Sequence, residues 1–272
     1  MFKARFWSSV VIVAVILLFG FAGGPLMALF LGTISCIGYL EFTKATKVRP
    51  TPEKMSGFEK IGLVGIILYY LLLLVTDDSL PFREMYGEWL FKTQGAFNYF
   101  TVLMLFIFVL SVVSMFMVYI FTFPRHNITQ ITHAAFGLIY VALTLSFIYY
   151  IRELPNGIFL MWLVFMSSWV CDTCAYVVGM LFGKHKLTPK LSPKKSVEGA
   201  IGGVVGSSLA GGLFGWLYVA CTDSSYGIIA VFAIICCVGS VVSQCGDLTA
   251  SAIKRNYEVK DYGKLIPGHG GI

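Results

Sequence analysis

Residues 99–121 read "YFTVLMLFIFVLSVVSMFMVYIF", 23 residues without one charged side chain. A helix rises 1.5 Å per residue, so about 20 such residues cross the roughly 30 Å hydrocarbon core of a bilayer. A helix that is apolar on every side has no face to offer water. This stretch is read as a transmembrane helix.

Working outward, further apolar runs lie at about 6–23, 25–41, 60–76, 133–150, 157–182, 198–220 and 227–245. The composition agrees: 57% of the 272 residues are hydrophobic and 12% are charged, against about 25% charged in soluble domains. The expected fold is all-α, a polytopic integral membrane protein with about eight transmembrane helices. Residues 1–150 hold the first five spans, and 151–272 hold the last three with two polar segments. No part of the chain is long enough for a separate soluble domain, and no repeat of 20–50 residues is evident.

Lys3 and Arg5 precede the first apolar run as in a signal peptide, but no small-residue cleavage site follows. A retained first helix is the reading. The seven cysteines sit mostly inside apolar runs and read as small core residues. Cys171 and Cys174 have CxxC spacing, but no second pair or His cluster completes a zinc site.

With the N-terminus placed in the cytoplasm, 17 of the 20 basic residues fall in the segments 1–5, 42–60, 122–132, 183–197 and 246–272. The opposite loops keep only Arg83, Lys92 and Arg152, among the acids Asp77, Asp78, Glu84, Glu88, Glu153 and Asp223. This is the positive-inside pattern, and it favours an even number of spans with both ends in the cytoplasm. The net charge of +6 therefore reflects topology, and no nucleic-acid partner is expected.

Topology alone does not explain two segments. The first is 183–203, "GKHKLTPKLSPKKSVEGAIGG". Lys184, Lys186, Lys190, Lys194 and Lys195 beside a membrane attract anionic headgroups or polyphosphates. Ser192-Pro193 or Ser196 can start the next helix, with Glu198 in its first turn. Gly199/Gly203, Gly202/Gly206 and Gly211/Gly215 have the small-xxx-small spacing of close helix packing. Such faces also permit a homodimer. The span before the segment carries Asp172, an acid costly in a membrane, which can pair with a Lys or bind a cation.

The second segment is 245–272. Asp247, Ser251, Lys254, Arg255 and Glu258 fall at i, i+4, i+7, i+8 and i+11, one stripe if helical. Asp247 can hold a hard cation through oxygen. Lys254 and Arg255 can hold phosphate oxygens, Arg bidentately. The chain then reads Pro267-Gly268-His269-Gly270-Gly271, which forbids a regular helix and lets backbone approach a ligand closely. His269 can donate to a phosphate or cap a turn.

Taken together, these blocks resemble the membrane-embedded phosphatidate cytidylyltransferases, the CDP-diglyceride synthases. The resemblance rests on Gly246-Asp247-Leu248, Ser251-x-x-Lys254-Arg255, Lys260-Asp261 and Pro267-Gly268-His269-Gly270-Gly271. Upstream it rests on "CDTCAYVVGMLFGKHKL" and "SPKKSVEGAIGG", so that it covers about 165–272. The first 150 residues match only as a set of apolar spans.

The resemblance implies a transferase of phospholipid biosynthesis: CTP and phosphatidic acid give CDP-diacylglycerol and pyrophosphate, with Mg²⁺ as cofactor. It implies Asp247, with Asp172 as a possible partner, as the metal ligands. Lys254, Arg255, Lys260, Asp261 and His269 become the catalytic set. Lys186, Ser192, Lys194, Lys195, Ser196, Glu198 and Ser251 become the substrate- and phosphate-binding set. In the family, His-Gly-Gly runs on to an Asp-bearing segment and a last apolar span. A further C-terminal helix with a second metal carboxylate is therefore expected to be missing from this chain. The resemblance also suggests a homodimer embedded among membrane lipids, with the active site facing the cytoplasm; in a bacterium the membrane would be the inner one. Two other functions share the chemistry in part: a nucleotide-dependent kinase of a lipid alcohol, and a transporter of anionic lipid or phosphate.

Overall fold

The structure is a computed structural model that describes residues 2–49, 54–75, 99–222, 224–263, 265–266 and 270–271, with backbone alone at 2–5 and 99–101. Its helices are α1 Phe2–Ala22, α2 Gly24–Ala45, α3 Gly57–Val75, α4 Tyr99–Thr122, α5 Ile128–Glu153, α6 Gly157–Phe182, α7 Val197–Thr222 and α8 Gly227–Asn256. Among the described residues, α2 to α8 are the seven helices long and apolar enough to cross a membrane, and α1 adds the shorter apolar stretch Phe6–Ala22. The fold is all-α and multi-pass, with one small exception. Lys186–Thr188 (β1) and Ser192–Ser196 (β2) form a two-stranded antiparallel hairpin.

Capping boxes start α3 and α5 before their apolar runs. The Ser56 hydroxyl accepts from the Glu59 amide, and the Glu59 carboxylate accepts from the Ser56 amide at 2.8 Å, which starts α3 at Gly57. Asn127 and Gln130 make the same reciprocal box and start α5 at Ile128. Of the two proposed starts of α7, the structure selects Ser196. Ser192 and Pro193 lie in β2, and the helix begins at Val197. Ser196 caps it, its hydroxyl accepting from the Gly199 amide at 3.1 Å. At the other end, α8 runs past its apolar stretch to Asn256 and carries Asp247, Ser251, Lys254 and Arg255. Glu258 lies beyond the helix with φ +56°, so the stripe is one member shorter.

The chain packs as two compact units: 1–153 with 259–272, and 154–258. In the first, α2 and α3 bury Tyr39, Phe42, Phe58, Ile66, Tyr69 and Leu73. Buried hydroxyls are paired: Tyr70 with Ser35 at 2.8 Å, and Tyr69 with Ser146 at 2.8 Å. Tyr70 also donates to the Ala142 carbonyl, in the π-helical turn Leu138–Leu143 of α5. Arg152, read from sequence as an outer-loop charge, donates to the Gly20 carbonyl at the end of α1. Glu153 accepts from the Gly24 amide at the start of α2. Each charge thus complements the dipole of the helix end it meets.

In the second unit, α7 lies against both α6 and α8. Its glycines make that contact. A Cβ on Gly199 would meet the Ala175 carbonyl at 2.7 Å, and one on Gly203 the Cys171 carbonyl at 2.8 Å. On the α8 side, Gly211 faces the Phe232 carbonyl and Gly215 the Ile229 Cα. The small-residue faces are therefore occupied within the chain. Leu163, Tyr218, Phe232 and Cys236 form the unit's buried core.

Candidate active site

The hairpin gives the basic loop a defined shape. Lys186 pairs with Ser196 and Thr188 with Ser192. Glu198, in the first turn of α7, fixes its base. The Glu198 carboxylate accepts from the Lys184 amide at 3.1 Å, from the His185 amide at 3.2 Å and from His185 Nδ1 at 2.6 Å. The Val197 amide donates to the His185 carbonyl at 2.9 Å. The turn from α6 into the hairpin is tight. A Cβ on Gly183 would strike the Gly179 carbonyl and approach the Ser196 hydroxyl at 2.8 Å.

Beneath the hairpin is a cavity of about 320 Å³, lined in part by Asp172, Tyr176, Lys194, Lys195, Ser196 and Gln244. Lys195 Nζ is ion-paired with the Asp247 carboxylate. The charges of Lys195 and Asp247 both act on Asp172. Asp172 and Lys195 thus line one cavity, and the ion pair ties Asp247, distant in sequence on α8, to that lysine. Lys195 keeps 29% of its side chain exposed and Asp247 52%, so the cluster is open to an incoming ligand.

The other proposed residues are placed as follows. Lys186 is exposed on β1 and Ser192 half-buried on β2. Glu198 holds the hairpin base. Ser251 and Lys254 are half-buried and Arg255 exposed on the last turns of α8. None of these six lines the cavity. Lys260 and Asp261 are exposed residues of the tail that packs in the first unit. His269 lies outside the described residues.

Two residues escaped the sequence reading. Gln244 sits one turn before Asp247 and donates to the Ala200 carbonyl at 3.0 Å and to Cys171 Sγ at 3.3 Å. An amide inside an apolar run was its signal. Glu41, the first charged residue after Arg5, lies against the tail backbone at Gly263 and Gly271. Cys171 and Cys174 take part in packing, Cys171 buried and Cys174 facing Gly206.

Among the described residues, no three His, Cys, Asp or Glu side chains gather as a closed metal cage. Two carboxylates, Asp172 in the cavity wall and Asp247 on its lysine, lie to hand instead. A pair suits Mg²⁺, which is usually held by one or two carboxylates while substrate phosphates and waters complete its shell. The adjacent lysines suit those phosphates.

Comparison with known proteins bears on this chemistry. A phosphatidate cytidylyltransferase of Staphylococcus haemolyticus is 28% identical, covering 99% of this chain and 92% of the relative. One of Haemophilus influenzae is 29% identical over 100% of this chain and 92% of its own. One of Staphylococcus aureus is 30% identical over 58% of this chain and 59% of the relative. The profile described as "Cytidylyltransferase family" matches residues 3–272, nearly end to end, and the chain belongs to that family.

Proposed function

We propose that the protein transfers the cytidylyl group of CTP to phosphatidic acid, giving CDP-diacylglycerol and pyrophosphate in a Mg²⁺-dependent reaction. The observation that carries this reading is a cavity under a lysine-bearing hairpin, lined by Asp172 and Lys195, with Asp247 ion-paired to that lysine. The names and coverage of the relatives support the same substrates.

The chemistry needs little from a protein base. A phosphatidate oxygen, already ionised, attacks the α-phosphorus of CTP. The new P–O–P bond forms as the α–β bridging P–O bond breaks, and pyrophosphate leaves with the electron pair. Both reactants are polyanions, so catalysis lies in holding them in line and neutralising their charge. Asp247 and Asp172 would hold the cation, which when bound supplies positive charge at the phosphates. Lys194 and Lys195 would bind phosphate oxygens at the cavity, and Ser196 and Glu198 would keep the hairpin in place. Lys254, Arg255 and Lys260 are proposed phosphate ligands. Asp261 and His269 are proposed polar contacts of the tail. The excess of Lys and Arg on one side of the spans supports an active site on the cytoplasmic face of the inner membrane.

The test is purified protein in lipid nanodiscs, given phosphatidic acid and CTP labelled at either the α- or the γ-phosphate. The reading expects α-label in the lipid fraction only when Mg²⁺ is present. Label from the γ-position alone would indicate a lipid kinase. No lipid label from either would remove both enzymatic readings.

A further inference from the structure

The buried residues of α8 form one row. Phe232, Cys236 and Ser240 follow at i+4 steps, and beyond Ser240 no residue of α8 is buried among those described. The row is stitched to its neighbours: the Cys236 thiol donates to the Leu163 carbonyl of α6, the Ser207 hydroxyl of α7 to the Cys236 carbonyl, and the Cys171 thiol of α6 to the Ser240 carbonyl. Gln244 is the next member of the row. Its Nε2 donates to the Ala200 carbonyl of α7 at 3.0 Å and to Cys171 Sγ of α6 at 3.3 Å. Both contacts fall beside the cavity. Ala200 and Gln244 line it, and Cys171 precedes the lining residue Asp172. Asp247 stands three residues beyond Gln244, one turn along the same side of α8. Packing between the two is thin: Cys245 is exposed, and a Cβ on Gly246 would meet nothing within 4 Å.

We propose that Gln244 is a positioning residue whose amide ties the polar end of α8 to α6 and α7 and so fixes where Asp247 stands against Lys195. The inference rests on the proposed function, which gives Asp247 to the cation and Lys195 to phosphate. Gln244 acts through the helix and takes no part in the bond changes. The chemistry sets the way its amide faces: a backbone carbonyl only accepts, so the nitrogen must point at Ala200. An apolar side chain would fill the same space without fixing the rotation of the helix, because apolar burial has no direction and a hydrogen bond has one. Groups that orient a metal ligand from outside the ligand set are typically worth about tenfold to a hundredfold in metal affinity or activity.

The test is Gln244→Met in nanodiscs, which keeps the length of the side chain and removes both donors. The Ala200 carbonyl lies inside α7 and keeps its helical partner, so the change orphans no acceptor and the melting temperature should hold. Hydrogen exchange of a peptide from 245–256 should quicken. Mn²⁺ affinity, read by electron paramagnetic resonance without nucleotide, should fall by about tenfold to a hundredfold, and the Mg²⁺ concentration for half-maximal transfer should rise by the same factor. Ser243→Ala is the comparison. Ser243 donates to the Ser168 hydroxyl at 3.1 Å, a second tie between α8 and α6, and neither serine lines the cavity. That variant should keep wild-type Mn²⁺ affinity. Should Gln244→Met fail to fold, Gln244→Asn, one methylene too short to reach both acceptors, carries the same measurements. Wild-type Mn²⁺ affinity in the Gln244 variant, or an equal loss in Ser243→Ala, would overturn the proposal. A wild-type protein that binds Mn²⁺ but makes no CDP-diacylglycerol would remove the proposed function, and the Mn²⁺ difference would still uphold Gln244. If the wild type binds no Mn²⁺, Asp247 loses the metal role and the exchange comparison alone decides: quickened exchange in Gln244→Met but not in Ser243→Ala upholds the tie, and equal exchange overturns it.

Discussion

Lys195, on the last strand of the hairpin, is ion-paired with Asp247, on the polar end of α8. The pair ties a lysine that lines the cavity to an acid at the end of a span. Both side chains stay partly exposed, and an exposed pair is worth only about 0–1 kcal/mol to stability. Asp247→Asn should therefore melt at the wild-type temperature. If Asp247 holds the cation that neutralises the reacting phosphates, activity should fall by about a hundredfold or more, the scale seen when a transition-state charge partner is removed. Retained transfer of α-label into lipid would take Asp247 out of the metal role.

The same pair predicts a competition. The Lys195 ammonium and a divalent cation want the same carboxylate oxygens. Lys195→Met should bind Mn²⁺ more tightly than wild type, measured by electron paramagnetic resonance without nucleotide. It should also be slower in catalysis, because a phosphate ligand has been lost. Tighter binding with full activity would leave Lys195 as a mere counter-ion, and unchanged binding would mean that the pair does not guard the site.

Packing of the second unit gives a contrast between two glycines. A Cβ on Gly203 would press on the Cys171 carbonyl at 2.8 Å and on its sulfur at 2.9 Å, neither of which can yield easily. Gly246, on α8, has nothing within 4 Å of a built Cβ. Gly203→Val should destabilise by about 1–3 kcal/mol or more through overpacking. Gly246→Ala should stabilise by up to about 1 kcal/mol, since it only removes chain entropy from a helix. Thermal melts in detergent separate the two, and similar shifts would mean that the helices are not in close contact at Gly203.

Much of this architecture was legible because apolar runs report spans directly. All eight proposed runs fall on helices. The helix starts at Gly57 and Ile128 were not, because a reading by apolarity begins where the grease begins. The capping boxes Ser56/Glu59 and Asn127/Gln130 act before that point. The hairpin was hidden by its own composition: lysines, prolines and serines read as a loop, and its pairing depends on Glu198 gripping the Lys184 and His185 amides from outside. The meeting of Lys195 with Asp247, and of Glu41 with Gly263, depends on how helices distant in sequence pack, and no local pattern encodes that.

Glu59 is fully buried, its side chain 0% exposed. It accepts from Arg49 Nε at 2.7 Å, from the Thr43 hydroxyl at 2.7 Å and from the Ser56 amide at 2.8 Å. Three segments of the first unit converge on this one carboxylate: the end of α2, the loop after it and the start of α3. Taking the charge away removes this carboxylate from the Arg49 guanidinium, which is 15% exposed. Breaking a buried pair from one side typically costs about 3–5 kcal/mol, whereas replacing both partners with apolar groups is often close to neutral. Glu59→Ala should thus lose several kcal/mol, and Glu59→Met/Arg49→Met should recover most of it. Chemical denaturation in mixed micelles reads both. If the double variant is as unstable as the single one, the carboxylate matters for its hydrogen bonds to Thr43 and Ser56, and the ion pair contributes little.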